Sequence, residues 1–168
     1  MGEYFEITFF EASPNSAPET STRLKSALNM KDGLNHIANS KFKILQDRCV
    51  YYQCYEEAQF DMYQFSLENL IFYKRTFDAD LDNMMQVISA CFDAAPNLRF
   101  ATGIYELTDY YLGEAATFEA AMKKAILNFP LLFFRASNAP PTDGASKLSH
   151  QVKCIMQSGT AIQDLFTD

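Results

Sequence analysis

The stretch DLDNMMQVISACFDAAP, Asp80 to Pro96, places Leu81, Met84, Met85, Ile88 and then Cys91 or Phe92 at steps of three and four. That period is an α-helix with one apolar stripe, and Pro96 stops it. The chain runs straight on into NLRFATGIYELTDYYL, whose apolar residues have both parities: Leu98, Phe100 and Ile104 against Ala101, Tyr105 and Leu107. A strand written this way is covered on both faces and central in its sheet. A one-sided helix feeding a two-sided strand restricts the fold to a sheet with helices packed against it.

The flanking segments extend this pattern. EYFEITFFEA reads as an opening aromatic strand, and SPNSAPETSTR, with its two prolines, as an exposed loop leading to helical pieces in STRLKSALNM and LNHIANS around the turn Lys31-Asp32-Gly33. KFKILQD and RCVYYQCYEE are strand-like. In QFSLENLIFYKRTF the residues Phe65, Leu67, Ile71, Tyr73 and Phe77 share one parity, with Asn69 and Arg75 the exceptions, which predicts a strand with one buried face up to Phe77. Thr117 is placed to cap a helix over FEAAMKKAILN, after which PLLFFRAS returns as a buried strand. NAPPTDGAS is a loop. In the tail, HQVKCIM alternates like a strand and TAIQDLF suits a short closing helix. Strand, helix, strand, helix, strand, preceded by strands joined too closely for helices, predicts an α+β fold: a mixed, mainly antiparallel sheet with packed helices in a single domain over 1–168.

With 168 residues, 48% of them hydrophobic and including 15 Phe and 9 Tyr, the chain can bury a sizeable core without disulfides or metals. Its formal net charge of −7 repels phosphate backbones and anionic membranes and favours basic partners, so nucleic acid and membrane are not expected ligands. MGEYFEITFFEAS has neither a basic export signal nor the Ser or Thr of a myristoylation motif. AILNFPLLFF is interrupted by Asn128 and Pro130, short of the roughly 18–20 apolar residues of a membrane span. A cytoplasmic protein is expected. Cys49, Cys54, Cys91 and Cys154 then read as free thiols.

Asp78, Asp80 and Asp82 stand at alternate positions, as in a calcium loop. Counted from Asp78, however, the sixth position is Asn83 where glycine is needed, and the twelfth is Ser89 where a bidentate Glu is needed. The acids fit a helix start better: Asp80 as the cap, Asp78 and Asp82 at the positive end of the dipole, all three exposed and able to meet a basic partner. With His36 and His150 the sole histidines and no Cys-x-x-Cys pair, no metal or cofactor is expected. No Gly-x-Ser-x-Gly elbow, P-loop or dinucleotide turn is present. His150 would share a helical face with Cys154 and could serve it as base, but Cys154 sits in an apolar run. The second acidic cluster is TGIYELTDYYLGEAATFE, where Glu106, Asp109 and Glu114 flank Tyr110 and Tyr111; carboxylates beside tyrosines suit a protein interface, and the rings equally suit a roof over the core.

The segment LRFATGIYELTDYYL, following an amphipathic helix in a small acidic chain, resembles the immunity proteins that bacteria carry against toxins of contact-dependent inhibition and related polymorphic systems. The resemblance implies a noncatalytic inhibitor that binds a basic toxin domain, such as a nuclease, and occludes its active site. Asp78, Asp80, Asp82, Glu106, Asp109, Tyr110, Tyr111 and Glu114 are the residues expected, from charge and clustering, to meet that partner. The alternative is a small cytosolic enzyme or ligand-binding domain whose pocket is assembled from residues distant in sequence.

Overall fold

The computed structural model of the protein describes residues 5–12, 17–28, 43–44, 51–55, 60–68, 72–105, 117–142, 144–157, 160–163 and 165–167. Its strands are β1 (Phe5–Glu11), β2 (Lys43–Ile44), β3 (Tyr51–Tyr55), β4 (Phe60–Glu68), β5 (Phe72–Tyr73), β6 (Leu98–Tyr105), β7 (Leu131–Arg135), β8 (Ala145–Ser149), β9 (Val152–Met156) and β10 (Phe166–Thr167). The helices are α1 (Ala17–Leu28), α2 (Phe77–Ala94), α3 (Phe118–Asn128) and the single turn α4 (Thr160–Gln163), with one 3₁₀ turn at Ala136–Asn138. The main sheet has eight strands in the order β2-β4-β1-β6-β7-β9-β8, with β3 also on β4, and every pairing in it is antiparallel. β5 and β10 form a separate parallel pair. This is the expected α+β architecture.

β1 and β6 lie side by side in the middle, and both are buried on both faces. One face carries Phe5, Ile7, Phe9, Tyr63, Phe65, Ala101, Leu131, Phe133, Val152 and Cys154 against α1 and α2. The other carries Phe10, Met62, Phe100, Ile104, Leu132 and Phe134 against Phe118, Ala121 and Ala125 of α3. Alternation alone produces this division, because neighbouring side chains on a strand leave by opposite faces. A shift of register at Phe10/Glu11 pairs Phe10 with Phe100 but Glu11 with Leu98. One extra residue on β6 thereby moves Leu98 from the parity set of Phe100 onto the α2 side.

α2 buries the predicted stripe Leu81, Met84, Met85, Ile88, Cys91 and Phe92, together with Val87. Its start differs from expectation. The helix begins at Phe77 after Thr76, so Asp80 lies one turn inside rather than at the cap, and the one-parity strand predicted to Phe77 ends as strand by Tyr73. The reason is tertiary: Phe77 packs on Phe72 at 5.4 Å and on Phe166 at 4.6 Å between ring centroids, which draws it into helix and core. α3 starts as the sequence predicts, with the Thr117 hydroxyl accepting from the Ala120 N–H at 3.1 Å.

Where α1 crosses the sheet, a carboxylate is buried on purpose-built donors. Glu11 is fully buried, and its Oε1 accepts from Thr20 of α1 at 3.0 Å while Oε2 accepts from the Tyr63 hydroxyl of β4 at 2.5 Å. A carboxylate removed from water is tolerated only with such partners. They also fix α1 to one place on the sheet.

Candidate functional site

The most chemically populated surface among the described residues is the seam between α2 and the β8–β9 hairpin. At about 100° per residue, Asp78, Ser89, Asp82 and Asp93 fall within roughly 60° of one another on α2, along one border of the apolar stripe. Asp78 and Asp93 are exposed, the Asp78 side chain by 93%, and Asp82 is half-exposed. Three carboxylates therefore line one edge of one helix.

The hairpin holds this edge in place. Lys147 of β8 donates from Nζ to the Asp78 carbonyl at 2.7 Å, with the Asp78 carboxylate 3.9 Å away. Ser149 donates its hydroxyl to Asp82 Oδ1, and His150 Nε2 lies 3.3 Å from Asp82 Oδ2. The Ser149 hydrogen bond, aided by His150 and Lys147 and opposed by partial burial, holds the Asp82 carboxyl below its ordinary value. The turn itself is unusual: His150 and Gln151 have φ of 52° and 62°, the left-handed pair of a two-residue hairpin with no glycine in it. Two tertiary bonds secure that turn. Ser89 of α2 donates to the His150 carbonyl at 2.8 Å, and the Ala136 N–H donates to the Gln151 carbonyl at 2.9 Å.

Beyond the turn the seam widens into a groove of about 260 Å³ lined by Ser89, Phe92, Asp93, Arg135, Ser137 and Gln151 among others. Arg135 closes its floor. Its guanidinium donates to the carbonyls of Phe92 at 2.8 Å, Ala95 at 3.0 Å and Leu98, and stacks 4.8 Å over the Phe92 ring. Phe92 lies in the last turn of α2 and Ala95 is its C-cap residue, so Arg135 binds the helix C-terminus and, through the Leu98 carbonyl, ties it to the start of β6.

The chain matches no family model, no curated protein and no solved structure. The seam must therefore be read from its chemistry.

Asp82, His150 and Ser149 contain the residue types of a nucleophilic triad, but the wiring differs. The serine proton goes to Asp82 and the imidazole also faces Asp82, so no base stands on the hydroxyl. Cys154, the alternative nucleophile, is buried in β9 with its thiol pushed up to about 12 by desolvation, and His150 sits in the turn rather than on a shared helical face. Among the described residues no three His, Cys, Asp or Glu side chains gather as a metal site.

The expected partner-binding residues divide. Asp78 and Asp82 stand together on the seam. Asp80 does not join them: it is 6% exposed and accepts from the Thr76 hydroxyl at 2.9 Å, so the expectation of an exposed Asp80 is corrected by the earlier start of α2, which turns that position inward. Glu106, Asp109, Tyr110, Tyr111 and Glu114 lie outside the described residues. Sequence reasoning missed Asp93, although its spacing of 11 and 15 from Asp82 and Asp78 repeats the helical period. Ser149 and His150 carried no such signal.

Proposed function

We propose that this chain is a noncatalytic binding protein that neutralises a basic cytotoxic partner inside the cell, in the manner of the bacterial immunity proteins that its central segment resembles. The observation that carries the reading is the carboxylate edge of α2: Asp78, Asp82 and Asp93 aligned on one rigid element of a chain with net charge −7. Fixed acids on a helix attract a basic surface at long range and hold it in register without rearranging. Ser149 keeps the Asp82 carboxylate oriented before any partner arrives, and Lys147 fixes the backbone of α2 at Asp78. Glu106, Asp109 and Glu114, with Tyr110 and Tyr111 as apolar anchors, supply the second part of the proposed contact. Among the described residues no helix is long and apolar enough to cross a membrane.

The test is co-purification of the tagged chain from its native host, identification of the retained protein, and association kinetics at low and high salt. A basic toxin domain is the expected catch, with Asp78→Lys/Asp93→Lys slowing association at least tenfold at low salt and weakening the salt dependence. Retention of a neutral or acidic protein, or unchanged kinetics in the folded variant, sinks the reading. A second reading, a ligand-binding domain, is favoured by the groove at Arg135 and Asp93; a small molecule recovered from the purified native protein would promote it.

A further inference from the structure

The main sheet ends at β8, and among the described residues no strand pairs with it on its far side. The hairpin geometry says which groups that edge offers. A two-residue turn at His150–Gln151 makes Ser149 and Val152 exchange both backbone bonds, and the antiparallel alternation repeats this at Lys147–Cys154 and Ala145–Met156. The N–H and C=O groups of Ser146 and Leu148 therefore point away from β9, along the open edge.

Edges are normally blunted by proline, by a bulge, or by a lysine left in the way. β8 has neither proline nor bulge, and its one lysine, Lys147, is turned onto the Asp78 carbonyl on the α2 side. Ser146 and Leu148 are exposed, Leu148 by 69%. On the α2 face this edge is bordered by the exposed Asp78 and the half-exposed Asp82; on the opposite face it presents Leu148.

We propose that β8 is the strand on which the basic partner docks: an extended segment of that partner adds to the sheet, its backbone bonding to Ser146 and Leu148. Alternate side chains of the incoming strand emerge on opposite faces. On one face lysine or arginine meets the exposed Asp78 carboxylate, with Asp82, held by Ser149 and His150, adding its charge behind it, and on the other an apolar residue covers Leu148. A second copy of this chain fits less well, since two copies of net charge −7 repel. The inference rests on the proposed binding function and adds to it the place and manner of docking.

Proline separates the two claims, because at position 146 or 148 it removes an outward N–H and spares the β8–β9 ladder. The probe is a capped peptide of four Lys-Val repeats, with a Lys-Gly peptide of equal charge as control, measured by NMR titration and hydrogen exchange. The expected result is preferential binding of the Lys-Val peptide, with slowed exchange of the Ser146 and Leu148 amides. Leu148→Pro and Ser146→Pro should weaken binding at least tenfold while the exchange pattern of β9 persists, and Asp78→Lys should weaken it as well.

Binding that survives both proline variants and falls only with Asp78→Lys overturns docking on the edge and leaves the acidic seam standing as the contact. Equal binding of the two peptides, or unchanged exchange at Ser146 and Leu148 in the unmutated chain, overturns it without relying on any variant. So does a concentration-dependent dimer of this chain that Leu148→Pro abolishes. Failure of the broader reading shows separately, as absence of a basic protein among those co-purified.

Discussion

Tyr63 on β4 donates its hydroxyl proton to Glu11 on β1 across two paired strands, with both side chains buried. Tyr63→Phe removes the donor and leaves Glu11 Oε2 without it in the interior. A loss of about 1–3 kcal/mol is expected in urea unfolding, the cost of an unsatisfied buried acceptor.

The same pair sets a pH dependence at the alkaline end. Burial first, and Glu11 second, raise the Tyr63 pKa far above its ordinary 10.0. The folded state keeps this proton where the unfolded state releases it, so the contribution is intact below pH ~10 and declines as pH rises beyond it. Stability of the wild type should fall more steeply than that of Tyr63→Phe between pH ~10 and ~11, measured by urea midpoints.

Arg135 offers a sharper contrast between charge and shape. Its planar fork reaches the carbonyls of Phe92 and Ala95 at the end of α2 and of Leu98 at the start of β6, a geometry that a lysine ammonium cannot reproduce. Arg135→Lys should cost about 1–3 kcal/mol, almost as much as Arg135→Ala. A lysine variant as stable as the wild type would show that the charge alone suffices.

Gly103 in β6 is packed under the rings of Phe5 and Phe133. A Cβ there would stand 2.8 Å from Phe5 Cζ and 3.3 Å from Phe133 Cε2, and Phe5 is itself held edge-on by Phe72 and Tyr105. Gly103→Ala should destabilise by about 1–3 kcal/mol through overpacking. Pairing it with Phe5→Leu should recover part of the loss, a coupling that a double-mutant cycle in urea would measure.

Cys91 and Cys154 are both buried, with thiols pushed up to about 12 by desolvation. Neither should react with an aromatic disulfide reagent in the native protein at pH 8, and both should react in denaturant. Rapid labelling of Cys154 under native conditions would contradict this account and reopen its role as a nucleophile.

The parts of the fold legible in the sequence are those decided within a few residues. The stripe of α2, the Thr117 cap and the burial of β6 on both faces depend on local spacing and stand where they read, except that the register shift moves Leu98 to the α2 side and Leu107 lies outside the described residues. The start of α2 was not legible because Phe77 answers to Phe166, far along the chain. β8 was missed for a related reason: its residues ASKLS are polar or exposed, and its turn uses His150 and Gln151, held by Ser89 and Ala136 rather than by glycine. At the site, Asp78 and Asp82 could be named from spacing, whereas Ser149 and His150 reach them only through the packing of the hairpin on the helix.

The central position of β1 has a consequence for the chain during its manufacture. Phe5, Ile7, Phe9 and Phe10 leave the ribosome before either neighbouring strand exists, and β6, which covers one side, follows some 90 residues later. At roughly 5–20 residues per second, that leaves an apolar ribbon waiting for about 5–20 s in a crowded cell. Nascent chains of this protein should therefore depend on whatever shields emerging hydrophobic segments, and a cell short of such help should yield aggregate rather than a truncated but soluble sheet.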